Sequence, residues 1–144
     1  HSRIGENPKW VVEGLATAFE SVAVRTNDRA TTPKARVNAT RFRWYQQHHV
    51  RGSHDSLSDL IASDDAFSRT TLDAYSEAWA LTFYLLETRS ADYTSYLRTL
   101  ARRDPLQEYS ADDRLSAFQR AFGRDLSLLE ARMRRYFDEL SASQ

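Results

Sequence analysis

The 144 residues include no cysteine, which excludes disulfides and thiolate chemistry but assigns no compartment. Net charge is absent as well, since 20 lysines and arginines balance 20 aspartates and glutamates. Nothing therefore draws the whole molecule toward nucleic acid or an anionic membrane, and neither is expected as a partner. Apolar runs are short. The longest, Ala78 to Leu86, is interrupted by Thr82 and falls well below the ~20 residues a membrane-spanning helix needs. The first residues carry no signal-peptide pattern, and the chain opens His1-Ser2-Arg3 without an initiator methionine. A processed product, or a piece of something longer, is the expectation. What remains is an ordinary globular composition, 41% hydrophobic and 28% charged, too apolar for a disordered chain and sufficient for one domain over residues 1–144.

Helical punctuation dominates what is present. Asn7 is placed to cap a helix entering at Pro8, with Val11, Val12, Leu15, Phe19 and Val22 at helical spacing. The polar text from Arg25 to Thr40 reads as a loop or irregular connection. An untidy helix over Arg36–His49 follows, with Val37, Phe42, Trp44 and Tyr45 as its apolar residues, and Gly52-Ser53-His54 breaks it. A short helix is expected at Ser56–Ala62, then a turn at Ser63-Asp64-Asp65. Leu72–Thr88 is apolar nearly all round, which places it at the centre of the fold. Ser90–Arg103 ends ahead of Pro105. Ser110 and Asp113 form a capping pattern for a helix that Gly123 stops, and Leu126 to Leu140 marks the last amphipathic helix. No strand alternation and no repeat of fixed period occur. The fold class is all-α.

Only four glycines are spent on the whole chain, so one placed inside a helix needs a reason. Gly14 costs roughly 1 kcal/mol relative to alanine there, and it follows Glu13 directly. A surface pair with Lys9, four residues earlier, would explain the carboxylate but not the glycine. The bare position would let a second helix, or a metal with its ligands, approach the backbone closely.

Pro8, Trp10, Glu13, Gly14, Leu15, Ala16, Phe19 and Glu20 form P-x-W-x-x-E-G-L-A-x-x-F-E. The pattern resembles the second conserved helix of gluzincin-type zinc metallopeptidases, and more narrowly a bacterial domain family of unknown function placed in that superfamily. Tyr75, Ala78, Trp79, Ala80, Leu81, Tyr84, Leu85 and Leu86 match a further helix of the family. Phe118, Phe122, Gly123, Asp125, Leu126 and Glu130 match its C-terminal segment. The resemblance spans nearly the whole chain and implies the helical C-terminal subdomain of a gluzincin-like fold. In such enzymes two histidines of an H-E-x-x-H helix and one glutamate of the next helix hold zinc, which activates a water for attack on a peptide bond. The resemblance makes Glu13 the third zinc ligand, with Gly14 admitting the H-E-x-x-H helix. Tyr75 becomes a candidate oxyanion stabiliser, against the commoner outcome of a core tyrosine. A peptide or protein substrate, and a secreted or periplasmic location, are implied likewise.

The chain departs from that pattern in one respect. It holds no H-E-x-x-H; none of His1, His48, His49 and His54 is followed by glutamate. Zinc is therefore expected in the intact protein and no cofactor in this chain, which alone should be inert. Surface bared by truncation would favour a dimer. His48, His49 and His54 read as solvated loop histidines rather than a second metal site. Asp73 and Glu77 share a helix face and should be solvated or paired. Arg120, Arg124, Arg132, Arg134 and Arg135, diluted by acids, read as a solvated helix face. The competing function is a helical interaction module without catalysis, binding a protein through exposed Trp44, Tyr45, Tyr93 and Tyr96.

Overall fold

The computed structural model describes residues 7–20, 32–51, 56–69 and 71–142, with the side chains of 48–51 and 56 left aside. Its helices are α1 (Lys9–Ala18), α2 (Ala39–Arg51), α3 (Ser56–Ala62), α4 (Ala66–Arg69), α5 (Thr71–Thr88), α6 (Ser90–Arg102), α7 (Ala111–Phe122) and α8 (Leu126–Ala142), with a 3-10 turn at Pro33–Arg36. No strand occurs among the described residues. The all-α expectation holds.

The apolar run of α5 becomes the axis of the molecule. Every residue from Ser76 to Leu85 is buried, because α1, α2, α4, α6 and α8 all pack against it. α2 runs antiparallel to α5. Arg36, just before it, makes a bidentate ion pair with Glu87 at 2.7 and 2.8 Å. Phe42 meets Trp79, and Trp44 Nε1 donates to Asp73. The pairing with Glu87 also holds the Arg36 guanidinium above its usual range.

Two aromatic clusters fill the core. Phe137 of α8 gathers Tyr45 at 5.1 Å, Phe42 at 5.4 Å and Trp79 at 5.6 Å. Trp10 of α1 stacks on Tyr96 at 5.9 Å and meets Phe118 edge-on at 5.7 Å. Burial pushes the Tyr93 phenol up to about 12 and Tyr96 higher, so both enter the core uncharged.

Three local expectations change. Asn7 does not cap α1, since Pro8 occupies the cap position and offers no side-chain bond. The Lys9 N–H donates instead to Asp64 Oδ1 at 3.0 Å. The buried face of α1 is also rotated from the expected stripe. Trp10, Val11, Gly14, Thr17 and Ala18 point inward, whereas Val12 and Phe19 are 50% and 55% exposed; Val22 lies outside the described residues. Thr17 enters the core because its hydroxyl donates to Glu13 O at 2.9 Å, within its own helix. Finally, α2 begins at Ala39 rather than Arg36. Asn38 ends the approach to it, its Oδ1 accepting from the Arg41 N–H and its Nδ2 donating to Thr17 O.

The Ser110 cap is present as read, with Oγ accepting from the Asp113 N–H at 3.1 Å. Gly123, at φ 114°, stops α7 in backbone that side chains rarely adopt. Ser110→Ala is expected to cost about 1 kcal/mol in urea denaturation; an unchanged midpoint would show that water replaces the cap fully.

Candidate functional site

α1 places Glu13 and Gly14 on different sides. Gly14 is buried against α5, where an added Cβ would lie 2.0 Å from Thr82 Oγ1 and 2.8 Å from the carbonyl oxygen of Ala78. The space it leaves is filled by the central helix. The expectation that this gap admits an H-E-x-x-H helix is therefore corrected: the second helix that approaches at Gly14 is α5.

Glu13 is half-buried at the flank of that contact. Among the described residues nothing pairs with its carboxylate, and the expected link to Lys9 does not form. Lys9 Nζ lies over the Phe67 ring, 5.6 Å from its centre. Phe67 in turn meets Tyr75 edge-on at 5.3 Å, and the Arg41 guanidinium covers the Tyr75 ring at 5.6 Å. Glu13 belongs to α1 and Tyr75 to the N-terminal part of α5. No hydrogen bond joins them among the described residues. Tyr75 is half-buried and packs against the core.

The outer face of α1 carries Val12, Leu15, Ala16 and Phe19 at i, i+3, i+4 and i+7. Val12, Ala16 and Phe19 are exposed and Leu15 is half-buried. α1 is thus apolar on both sides, the inner one packed and the outer one open, with Glu13 at the border.

The other candidates separate. His1 and His54, and the side chains of His48 and His49, lie outside the described residues. Among those described, no group of three or more histidines and carboxylates could hold a metal. Glu13 alone does not complete a zinc site. Asp73 is paired with Trp44, but Glu77 is 3% exposed, buried beside the Tyr45 phenol whose ionisation its charge opposes after burial itself. Arg135 pairs with Glu139 at 3.1 Å and Arg134 approaches Glu130 at 4.0 Å, a helix face of weak ion pairs. Tyr45, Tyr93 and Tyr96 are buried. This removes three of the four aromatics proposed as an interaction surface, because their rings complete the two core clusters; Trp44 alone stays partly exposed.

Sequence reasoning passed over Asp64 and Arg114. Asp64 Oδ1 accepts both from the Lys9 N–H and from Arg114 Nη2, the latter at 2.9 Å. Arg114, 8% exposed, also donates from Nε to Ile61 O at 3.0 Å. One carboxylate thus finishes the N-terminus of α1, where negative charge is favoured, and fixes α7. Arg114 shares the inward side of α7 with Ala117 and Phe118, a polar residue in an apolar register that marked it as needing a partner. A groove of about 510 Å³ opens beside the pair, lined by Lys9, Ser63, Phe67, Tyr109 and Ser110 among others.

The family model described as "Protein of unknown function (DUF1570)" matches residues 1–107, which cover most of the chain. The chain belongs to the DUF1570 family. No curated protein and no solved structure matches it significantly. The DUF1570 match takes in Glu13, Gly14, Tyr75 and all of α5, and ends ahead of α7.

Proposed function

We propose that this DUF1570 chain is the C-terminal, helical side of a zinc-metallopeptidase-like domain, with Glu13 as its third metal ligand and Tyr75 as a donor to the substrate oxyanion. The supporting observation is the position of Glu13. A half-buried carboxylate with no ion partner among the described residues borders an open apolar helix face, Val12, Ala16 and Phe19. A helix bearing H-E-x-x-H, laid on that face from polypeptide outside these residues, would cover the apolar atoms and bring its ligands to Glu13. Val12 and Phe19 are already about half buried, so covering each is worth roughly 1 kcal/mol, which favours seating a helix there. The substrate in this reading is a peptide or protein.

The full-length gene product provides the test. It should bind stoichiometric zinc by atomic absorption, and Glu13→Gln should strip most of that zinc while leaving the circular dichroism spectrum intact. Polypeptide lacking H-E-x-x-H, or zinc content indifferent to the substitution, would end the proposal. Tyr75→Phe should lower kcat far more than it raises KM, because an oxyanion donor acts in the transition state.

The open stripe also favours a second reading, in which α1 docks a partner helix or a second copy without catalysis. In that case Phe19→Ser would disrupt assembly by light scattering, and Glu13→Gln would not.

A further inference from the structure

A second surface, away from Glu13, has its own chemistry. Where the C-terminal end of α6 lies along α7, a groove of about 480 Å³ is lined by Arg102, Arg103, Tyr109, Asp113, Ala117 and Arg120 among others. Arg120 also lines an adjoining hollow of about 450 Å³ with Ser116, Gln119 and Arg124. Three guanidinium groups therefore line the groove between α6 and α7, and Arg124 lines the hollow that shares Arg120 with it.

Their states differ usefully. Arg103 is held before any ligand arrives, its guanidinium 4.1 Å above the Tyr109 ring and its Nη1 donating to Gln107 O at 3.0 Å. Arg102, Arg120 and Arg124 are exposed, and no ion pair engages them among the described residues. Asp113 and Glu108 border the same groove and form no ion pair with Arg102, Arg120 or Arg124 among the described residues, whereas Arg36, Arg89, Arg114 and Arg135 elsewhere each find a carboxylate. A guanidinium presents a planar fork that matches a carboxylate with two parallel hydrogen bonds; Arg103, already hydrogen-bonded, adds a fixed positive charge beside those of Arg102 and Arg120.

We infer that the α6–α7 seam is a docking groove for an acidic segment of a partner protein. Spaced carboxylates fit the arrangement better than a nucleic acid does. Asp113 and Glu108 would repel a continuous phosphodiester backbone, but they can stand between the carboxylates of a peptide and accept its backbone N–H groups. Base stacking has no platform here either. Tyr93, Tyr96, Phe118 and Phe122 are buried, and Arg103 covers one face of Tyr109. The attraction is local, since the chain as a whole carries no net charge.

Fluorescence anisotropy at low ionic strength tests this with three labelled probes of equal length: an alternating glutamate–serine peptide, an alternating lysine–serine peptide and oligothymidylate. The glutamate peptide should bind saturably and weaken as salt is raised. The double variant Arg102→Gln, Arg120→Gln should weaken it at least tenfold, and Arg135→Gln, outside the groove, should leave it unchanged. Circular dichroism and the thermal midpoint verify folding. Should the double variant not fold, Arg120→Lys keeps the charge but loses the fork, and a severalfold loss is expected. Absence of saturable binding overturns the proposal. So do equal binding by the lysine peptide, tighter binding by oligothymidylate, or full affinity in whichever groove variant folds.

Discussion

Replacing Gly14 with alanine should lower the thermal midpoint by roughly 5–10 °C, the equivalent of about 2–3 kcal/mol for a domain of this size. Propensity alone argues the other way, since alanine is the better helix former by roughly 1 kcal/mol. Packing decides the sign. The new Cβ would stand 2.0 Å from Thr82 Oγ1 and 2.8 Å from the Ala78 carbonyl oxygen. The hydroxyl belongs to a fully buried side chain and the carbonyl to the backbone of α5, so neither can yield cheaply. Relief is available by design. Adding Thr82→Ala should recover part of the loss but not all of it, because the carbonyl stays where it is. A Gly14→Ala variant as stable as the parent would mean that α1 and α5 separate at little cost.

Arg114→Met should destabilise the domain by about 2–3 kcal/mol in urea denaturation, the second large effect. Breaking a buried ion pair on one side costs about 3–5 kcal/mol when the remaining charge has no other recourse. Asp64 keeps some recourse, being about a third exposed, which reduces the figure. The Ile61 carbonyl loses its donor as well. Asp64→Asn retains an oxygen for the Lys9 N–H and should cost less. A structural link of this kind predicts a local signature too, faster hydrogen exchange in the first turn of α1 in the Arg114 variant. Unchanged exchange there would separate the pair from the helix it finishes.

Much of the architecture was legible because its signals are local. The limits of α3 follow from the polar residues that flank it in sequence, and α5 from an apolar run too continuous for a surface helix. Ser110 and Gly123 announced the ends of α7 through capping chemistry that acts over three or four residues. α4 escaped notice because four residues are too few to establish a period. The orientation of α1 was misread for a different reason. Hydrophobicity points to Phe19 as a core residue, but close approach of two backbones selects Gly14 and Thr17 and leaves Phe19 outside. The tyrosines were misassigned as exposed because a phenol is compatible with either environment, and only the partners of Tyr45, Tyr93 and Tyr96 decide. Of the candidate site, Glu13 and Tyr75 were identifiable as chemistry in want of context. Phe67 and Arg41, the neighbours of Tyr75, come from α4 and α2, and no spacing rule reaches from one helix to another.

The aspartate that completes α1 lies 55 residues downstream of Lys9. At ~5–20 residues per second, a ribosome needs roughly 3 to 11 seconds to add that stretch. Throughout this interval the newborn helix has an unfinished end, and its indole waits longer still, for Tyr96 and Phe118. Completion of that end is therefore timed by synthesis of the turn at residue 64, and slow codons within that stretch would prolong the period in which a chaperone can engage the exposed segment.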